Sequence, residues 1–339
     1  MTITALSLDD RVRRTAERVA DGRRGAVAVG AVRGEESALH GAAPDTLFEI
    51  GSITKTFTAL TLAALAVRGE VAFDAPLAGL LPEAGVPRRG EEPIRLEHLA
   101  LHTSGLPRLP QGLLPRRAFL IPPPDPYAGC TAEALLASLA RTRLRSEPGR
   151  RFHYSNLGGG LLGLALARPR SISYEELVRA EVCRPLGLDD TRVTLDADRS
   201  ARLAPGHSRR GRPRPGWNLA ALAGAGGLHS TVPDLLRLAR AQFGEAPAPL
   251  DEAVALTHAT SHRMGGAASH PGWIGLRMPP RRGGQDVLFH NGGTGGYRSL
   301  LAVAPAARTA VVVLSANAAH VDRPGLDLLA ELSSEGAGA

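Results

Sequence analysis

The sequence predicts an α/β fold: strands from both termini form one antiparallel sheet flanked by helices, with an all-helical lobe inserted between them. Strand-like apolar runs occur before residue 42 and after residue 286, whereas helical patterns fill the middle of the chain. Of the 339 residues, 43% are hydrophobic and 22% charged, which is typical of a globular protein with a sizeable core. We expect one domain over residues 1–339, with the α/β lobe at about 1–69 and 245–339 and the helical lobe at about 70–244.

The first 69 residues contain two helical and two strand patterns. In chain order they are a helix at 9–21, strands at 26–32 and from 35 to about Gly41, and a helix at 52–68. Arg33 and Gly34 turn the first strand into the second. Apolar side chains surround nearly the whole circumference of the 52–68 helix, which predicts that it is buried on all sides and ends at Gly69.

The rest of the chain passes from helices back to strands. The patterns predict helices at 131–140, 157–167, 174–182 and 232–243, strands at 287–290, 297–304 and 309–315, and a last helix at 324–332. The loop at 107–129 holds many prolines and is long enough to form a lid or a pocket wall.

The charge pattern does not point to a polyanionic partner. The net charge is +7, but nearly all the basic residues are scattered arginines, and the densest group, at 209–214, has no interleaved aromatic residues. We therefore predict no nucleic-acid binding. No apolar stretch reaches the roughly 18 residues of a membrane span, so we also predict no membrane association. Residues 1–8 lack the basic lead of a secretory signal, which favours a cytoplasmic location.

Lys55 is the only lysine in the chain. At every other position that has a lysine or an arginine, the residue is arginine. Lysine differs from arginine chemically in that it can give up its proton. This suggests that Lys55 serves as a base.

Ser52 and Lys55 are three positions apart at the start of the buried helix, so their side chains share one helix face. The simpler interpretation is an N-cap followed by a surface cation. A capping box would place Glu or Gln at position 55, however, and a cation in the first turn opposes the helix dipole. Burial and the dipole should both lower the pKa of Lys55, and a neutral amine beside a hydroxyl makes that hydroxyl a nucleophile.

Two further motifs carry candidate residues. Tyr154, Ser155 and Asn156 precede the helix at 157–167, where Ser155 or Asn156 can act as a cap. Alternatively, Tyr154 passes a proton to a leaving group while Asn156 orients Lys55 and the substrate.

The third motif, at 290–298, reads His290, Asn291, Gly292, Gly293, Thr294, Gly295, Gly296, Tyr297, Arg298. These glycines exceed the need of a tight turn between strands, and such a run lets a substrate approach the backbone closely. The N–H groups of Gly293 and Ser52 would together form an oxyanion hole.

In this order, the three motifs resemble the class C β-lactamase and penicillin-binding-protein superfamily. Further similar segments lie at 99–106, 185–188 with Thr191, and 226–228 with Ser230, Thr231 and Asp234, so the likeness spans about 45–316. The resemblance implies an α/β sandwich with a helical lobe and an acyl-serine intermediate at their junction. By matching position, it makes Ser52 the nucleophile, Lys55 its base or electrostatic helper, Tyr154 the proton carrier and Asn156 an orienting group.

One departure from the best-known family pattern concerns the third motif. His290, Asn291 and Gly292 stand where β-lactamases have Lys-Thr-Gly, so a fixed cation for a substrate carboxylate is absent at neutral pH. Esterases and some carboxypeptidases of the superfamily are similar in having His there. Efficient β-lactam hydrolysis is therefore in doubt. Arg298 can supply a cation instead, or be a solvated strand residue.

Three functions remain open at this point. The first is a serine hydrolase acting on a small-molecule ester, amide or peptide. The second is an acyl transferase or cyclising thioesterase that uses the same acyl-serine, and the third is a non-catalytic ligand-binding or acyl-sensing protein. We predict no cofactor and no metal, because His98 and His102 lack a Glu in the position that a zinc helix requires, and Cys130 and Cys183 lack metal-ligand spacing.

Overall fold

A computed structural model describes residues 6–112 and 125–334 of the chain. Residues 113–124 of the predicted proline-rich loop lie outside the described residues. The α-helices are α1 (Leu8–Ala20), α2 (Thr54–Val67), α3 (Leu77–Leu80), α4 (Leu96–Ala100), α5 (Ala132–Ala140), α6 (Asn156–Ala167), α7 (Tyr174–Val178), α8 (Ala197–Arg202), α9 (Ala223–Gly226), α10 (Val232–Arg240), α11 (Leu250–Ala259) and α12 (Asp322–Ser334). The strands are β1 (Val27–Arg33), β2 (Glu36–Gly41), β3 (Phe48–Glu49), β4 (His229–Ser230), β5 (His262–Met264), β6 (Ala267–His270), β7 (Trp273–Arg277), β8 (Asp286–Gly293), β9 (Arg298–Ala304) and β10 (Thr309–Ser315).

Strands from the two ends of the chain form one sheet. Its order is β2-β1-β10-β9-β8-β7-β6-β5, and every neighbouring pair is antiparallel. The N-terminal hairpin joins the C-terminal strands through β1 and β10, with Val27 opposite Ser315 and Arg33 opposite Thr309. This arrangement confirms the predicted sheet built from both termini.

The central strands are apolar on both faces because helices cover both sides of the sheet. In β10, Ala310, Val312 and Leu314 face the core that contains α2 and α10, whereas Val311 and Val313 face the core beneath α1 and α12. Helix α10 falls within the range 70–244 predicted for the helical lobe, yet it packs against β1, β9 and β10.

Helix α2 separates two hydrophobic cores. Phe57 and Leu60 belong to the core against the sheet, whereas Leu62 and Leu65 belong to the core of the helical lobe, which α4, α5 and α6 also line. An apolar helix with one core on each side needs no polar face. The helix predicted to be buried all round is therefore the element that joins the two parts of the fold.

Several elements differ from the sequence prediction, among them α11 at Leu250–Ala259, which no pattern predicted. Strands β5, β6 and β7 were not predicted, because they are short and their apolar residues are interrupted by Gly and His. The helix predicted from Ser52 begins instead with a 3₁₀ turn over Gly51–Ile53, and α2 follows at Thr54. That turn places Ser52 at the N-terminal end of α2.

Candidate active site

The turn that carries Ser52 is pressed against the end of β8. Gly51 has φ of +51°, and a Cβ atom placed on it would lie 2.7 Å from the backbone nitrogen of Gly293. The carbonyl of Ile50 accepts a hydrogen bond of 2.7 Å from the hydroxyl of Ser299 on the neighbouring strand. A side chain at position 51 would separate the two segments. Glycine there allows Ser52 and Gly293 to lie side by side, as the predicted oxyanion hole requires.

Lys55 is buried beneath Ser52, with 4% of its surface exposed. Its Nζ lies 3.1 Å from Ser52 Oγ and 3.0 Å from Asn156 Oδ1, and it also donates to the backbone carbonyl of Ala225. Burial lowers the pKa of Lys55, and nearby Arg108 lowers it further, while the interaction with Tyr154 opposes the shift. The amine is therefore easier to deprotonate than an exposed lysine.

The three partners of Lys55 fix where its lone pair points once the amine is neutral. The oxygens of Asn156 and Ala225 can only accept hydrogen bonds, so they take the two remaining N–H groups. The lone pair then faces the hydroxyl of Ser52, which has a proton to donate. This geometry suits proton transfer from Ser52 to Lys55.

Tyr154 lies over the Ser52–Lys55 pair. Its ring centroid is 5.0 Å from Lys55 Nζ and 4.4 Å from the ring of His102. The guanidinium carbon of Arg108 lies 5.2 Å from the same ring centroid. Tyr154 is thus in contact with the amine and at the surface of the cleft described below.

The sequence left open whether Ser155 or Asn156 caps α6. In the structure Ser155 is the N-cap, and Asn156 contacts Lys55. Ser155 caps α6 by accepting a 2.9 Å hydrogen bond from the N–H of Gly158, and its hydroxyl donates to the carbonyl of Pro107. The side chain of Asn156 therefore has no capping role and reaches Lys55. The N–H of Ser155 also donates to Nδ1 of His102, which adopts a left-handed backbone with φ of 58°.

The third motif lines the opposite side of the cleft. His290 is buried, its Nδ1 lies 2.7 Å from the carbonyl of Asn291, and burial together with the nearby Lys55 lowers its pKa to about 3. It is therefore uncharged at neutral pH. Asn291 directs its side-chain amide to Asp322, at 2.6 Å. Gly292 packs directly on the backbone of Ile50, since a Cβ on Gly292 would lie 2.0 Å from that carbonyl oxygen.

A cleft of about 430 Å³ connects these residues. The structure brings the sequence-predicted site residues together. Ser52, Tyr154, Asn156, Asn291, Gly292 and Gly293 all line the cleft, and Lys55 and His290 are buried beneath it. Arg298 also lines the cleft, and its Nη1 donates to the carbonyls of Thr294 and Tyr297.

Sequence reasoning missed several residues of the cleft. The exposed side chain of Arg108 and the aromatic pair Tyr127 and Trp217, whose ring centroids are 5.2 Å apart, line its wall. Ala225 contributes only its backbone carbonyl, for which no side-chain signal exists. His102 lies in the segment at 99–106 that resembles the family, and this was the one available pointer to it.

Within residues 6–112 and 125–334, no group of three or more His, Cys, Asp or Glu side chains is arranged to hold a metal ion. Nor does any helix there combine the length and apolar character needed to cross a membrane.

Comparison with known proteins gives consistent similarities. The family model described as Beta-lactamase matches residues 11–333. The D-alanyl-D-alanine-carboxypeptidase/endopeptidase AmpH of Escherichia coli K12 is 32% identical over 274 residues, covering 77% of this chain and 68% of that protein. A beta-lactamase of Pseudomonas fluorescens is 27% identical over 306 residues, covering 80% of this chain and 79% of that protein.

Solved structures show the same likeness. The crystal structure of a beta-lactamase/D-alanine carboxypeptidase from Pseudomonas syringae matches with a TM-score of 0.79, covering 96% of this chain and 99% of that one. Its sequence identity is 22%, so this match is evidence of the fold alone.

Proposed function

This chain belongs to the beta-lactamase family, and we propose that it is a serine hydrolase that cleaves a small ester or amide through an acyl intermediate on Ser52. The observation that carries the proposal is the 3.1 Å separation of Lys55 Nζ and Ser52 Oγ, with the amine buried and its other two partners both acceptors. A lysine with a purely structural role would not need to be buried beside a serine hydroxyl, with acceptors on its other two N–H groups.

Acylation would proceed in two proton transfers. Lys55 takes the proton of Ser52 as Oγ attacks the carbonyl carbon, and the oxyanion that forms accepts hydrogen bonds from the N–H groups of Ser52 and Gly293. Collapse of this intermediate breaks the bond to the leaving alcohol or amine. Tyr154, in contact with Lys55 and open to the cleft, gives its proton to the leaving group and takes the former serine proton from Lys55 in its place.

Deacylation would reverse these roles with water as the nucleophile. Water attacks the acyl carbon, its proton passes to the Tyr154 and Lys55 pair, and Ser52 leaves with a proton returned to Oγ. The products are a carboxylic acid and the free enzyme. Asn156 keeps the amine oriented throughout both halves of the cycle, because its oxygen holds one N–H of Lys55.

The substrate class we propose is a small ester, amide or peptide. The E. coli relative is described as a carboxypeptidase and endopeptidase, which supports amide bonds among the candidates. The uncharged His290 at the third motif favours substrates that do not depend on a cation at that position.

The test is covalent labelling followed by intact mass measurement. Incubation with a fluorophosphonate or a fluorescent penicillin should add one adduct to the parent chain and none to Ser52→Ala. A parent chain without adduct, or an equal adduct on Ser52→Ala, would refute the proposal. Turnover of p-nitrophenyl acetate, D-Ala-D-Ala peptides and nitrocefin would then rank the substrate classes.

A further inference from the structure

Glu49 is a buried carboxylic acid that the acylation mechanism does not use. It ends the short strand β3, three residues before Ser52, and only 4% of its surface is exposed. Resting on the proposed function, we propose that Glu49 is a positioning residue of the active site, joining the Trp217 wall of the cleft to the turn at Thr294 that follows Gly293.

The first half of this link is a hydrogen bond to the cleft wall. The backbone N–H of Trp217 donates to Glu49 Oε1 at 2.9 Å. The indole of Trp217 packs on the third motif, because a Cβ on Gly295 would lie 2.7 Å from its Nε1, and it also meets the ring of Tyr127 edge to face. Glu49 therefore fixes the backbone of Trp217, whose indole forms this wall of the cleft.

The second half of the link is the hydroxyl of Thr294. Glu49 Oε2 and Thr294 Oγ1 are both buried, and neither has a hydrogen-bond partner within standard geometry among the described residues. The two side chains nevertheless interact, since Thr294 opposes the rise in the pKa of Glu49. A small movement that closes this gap would satisfy both atoms at once, which a buried pair strongly favours.

The surroundings of Glu49 favour its neutral form. Burial is the main cause that raises its pKa to about 7, and the carboxylate of Asp125 raises it further. Tyr297, whose pKa burial raises, and His229, which pairs with Glu49 across β3 and β4 and whose pKa burial lowers, carry no positive charge at neutral pH. A permanent positive charge on the same turn belongs to Arg298, whose guanidinium donates to the carbonyls of Thr294 and Tyr297.

The protonation state of Glu49 then affects the reaction. A neutral carboxyl can donate its proton to Thr294 Oγ1 while it accepts from the N–H of Trp217, so it can hold both contacts without a buried charge. An ionised carboxylate places a buried negative charge beside the residue that follows Gly293. That charge opposes the oxyanion that develops at the Gly293 N–H during acylation.

The experiment compares Glu49→Gln, Glu49→Ala and Asp234→Asn with the parent enzyme, using p-nitrophenyl acetate between about pH 5.5 and 9. Asp234 is the matched control: it is a buried carboxyl whose pKa burial also raises, but its partners are Thr191 and Arg237, away from the cleft. Gln mimics the neutral acid, whereas Ala removes both contacts. Because all four enzymes share Lys55, ratios of kcat/KM cancel its titration.

We expect the ratio of Glu49→Gln to parent kcat/KM to be near one at acid pH and to rise about tenfold through neutrality. Glu49→Ala should lose about tenfold relative to Glu49→Gln at every pH, mainly through KM, because both variants lack the charge and only Ala lacks the contacts, and Asp234→Asn should keep the parental profile whatever its stability. A constant ratio for Glu49→Gln, or the same rise for Asp234→Asn, would overturn the proposal.

A second measurement does not depend on turnover. With Trp273→Phe as background, Trp217 is the only tryptophan left, and its fluorescence reports the wall directly. The fluorescence emission should change near neutral pH as Glu49 loses its proton, and Glu49→Gln should abolish that change. Identical titrations with and without Glu49 would reject the link between Glu49 and the wall, whereas a failed Ser52 adduct would reject only the proposed function.

Discussion

Lys55 on α2 and Asn156 at the start of α6 are joined by a 3.0 Å hydrogen bond across 101 positions of sequence. The bond connects the helix that carries the nucleophile with the helical lobe, and it holds one N–H of the amine away from Ser52. The relative placement of the two helices thus sets the direction of the Lys55 lone pair.

Lys55→Arg should fold and yet lose about 1,000-fold in kcat/KM for p-nitrophenyl acetate, the range that a general base contributes. The variant keeps the positive charge but cannot release a proton at accessible pH. Circular dichroism would establish the fold and initial rates the loss. Turnover within tenfold of the parent would show that proton transfer is not the role of Lys55.

Asn156→Ala and Ser155→Ala should separate catalysis from folding. Asn156→Ala should lower kcat by about tenfold, the equivalent of one hydrogen bond to Lys55, with little change in unfolding free energy. Ser155→Ala should instead cost about 1 kcal/mol of stability, because the N-cap of α6 is lost. Urea unfolding and steady-state rates measure both effects, and the reverse pattern would contradict the assignment.

Gly51→Ala should cost both stability and activity, whereas Gly69→Ala should cost stability alone. Both glycines have positive φ, so each substitution carries about 1–2 kcal/mol of backbone strain. Around Gly69 the space is open, but at position 51 the new Cβ meets the Gly293 nitrogen and pushes the oxyanion donors apart. Equal kcat for the two variants would show that this contact is unimportant.

His290→Gln should leave the shape of the pH profile unchanged between about pH 5 and 9. Since the pKa of His290 is about 3, its ring is already neutral over this range. Activity should rise with pH there because Lys55 must lose its proton, and burial brings that step below the ordinary lysine range. An acid limb that disappears in His290→Gln would assign the titration to His290 instead.

The sequence alone was sufficient for the fold class and the family, because local signals are strong there. The apolar circumference of 52–68, the continuous apolar run in 309–315 and the three motifs are each formed by residues close together in the chain. The single lysine of the chain, Lys55, lies in the first of these motifs and also indicated the active site. By contrast, the short strands β5, β6 and β7 exist through pairing with β8 and one another, which no local pattern encodes.

Tertiary structure alone decided which groups surround the nucleophile. The carbonyl of Ala225, the ring of His102 and the Arg108 guanidinium reach the site from parts of the chain distant from Ser52, and a backbone carbonyl leaves no trace in residue identity. The sequence could indicate that Lys55 is buried. Only packing of α2 between two cores fixes how deep it lies, and desolvation at that depth is what shifts its proton equilibrium.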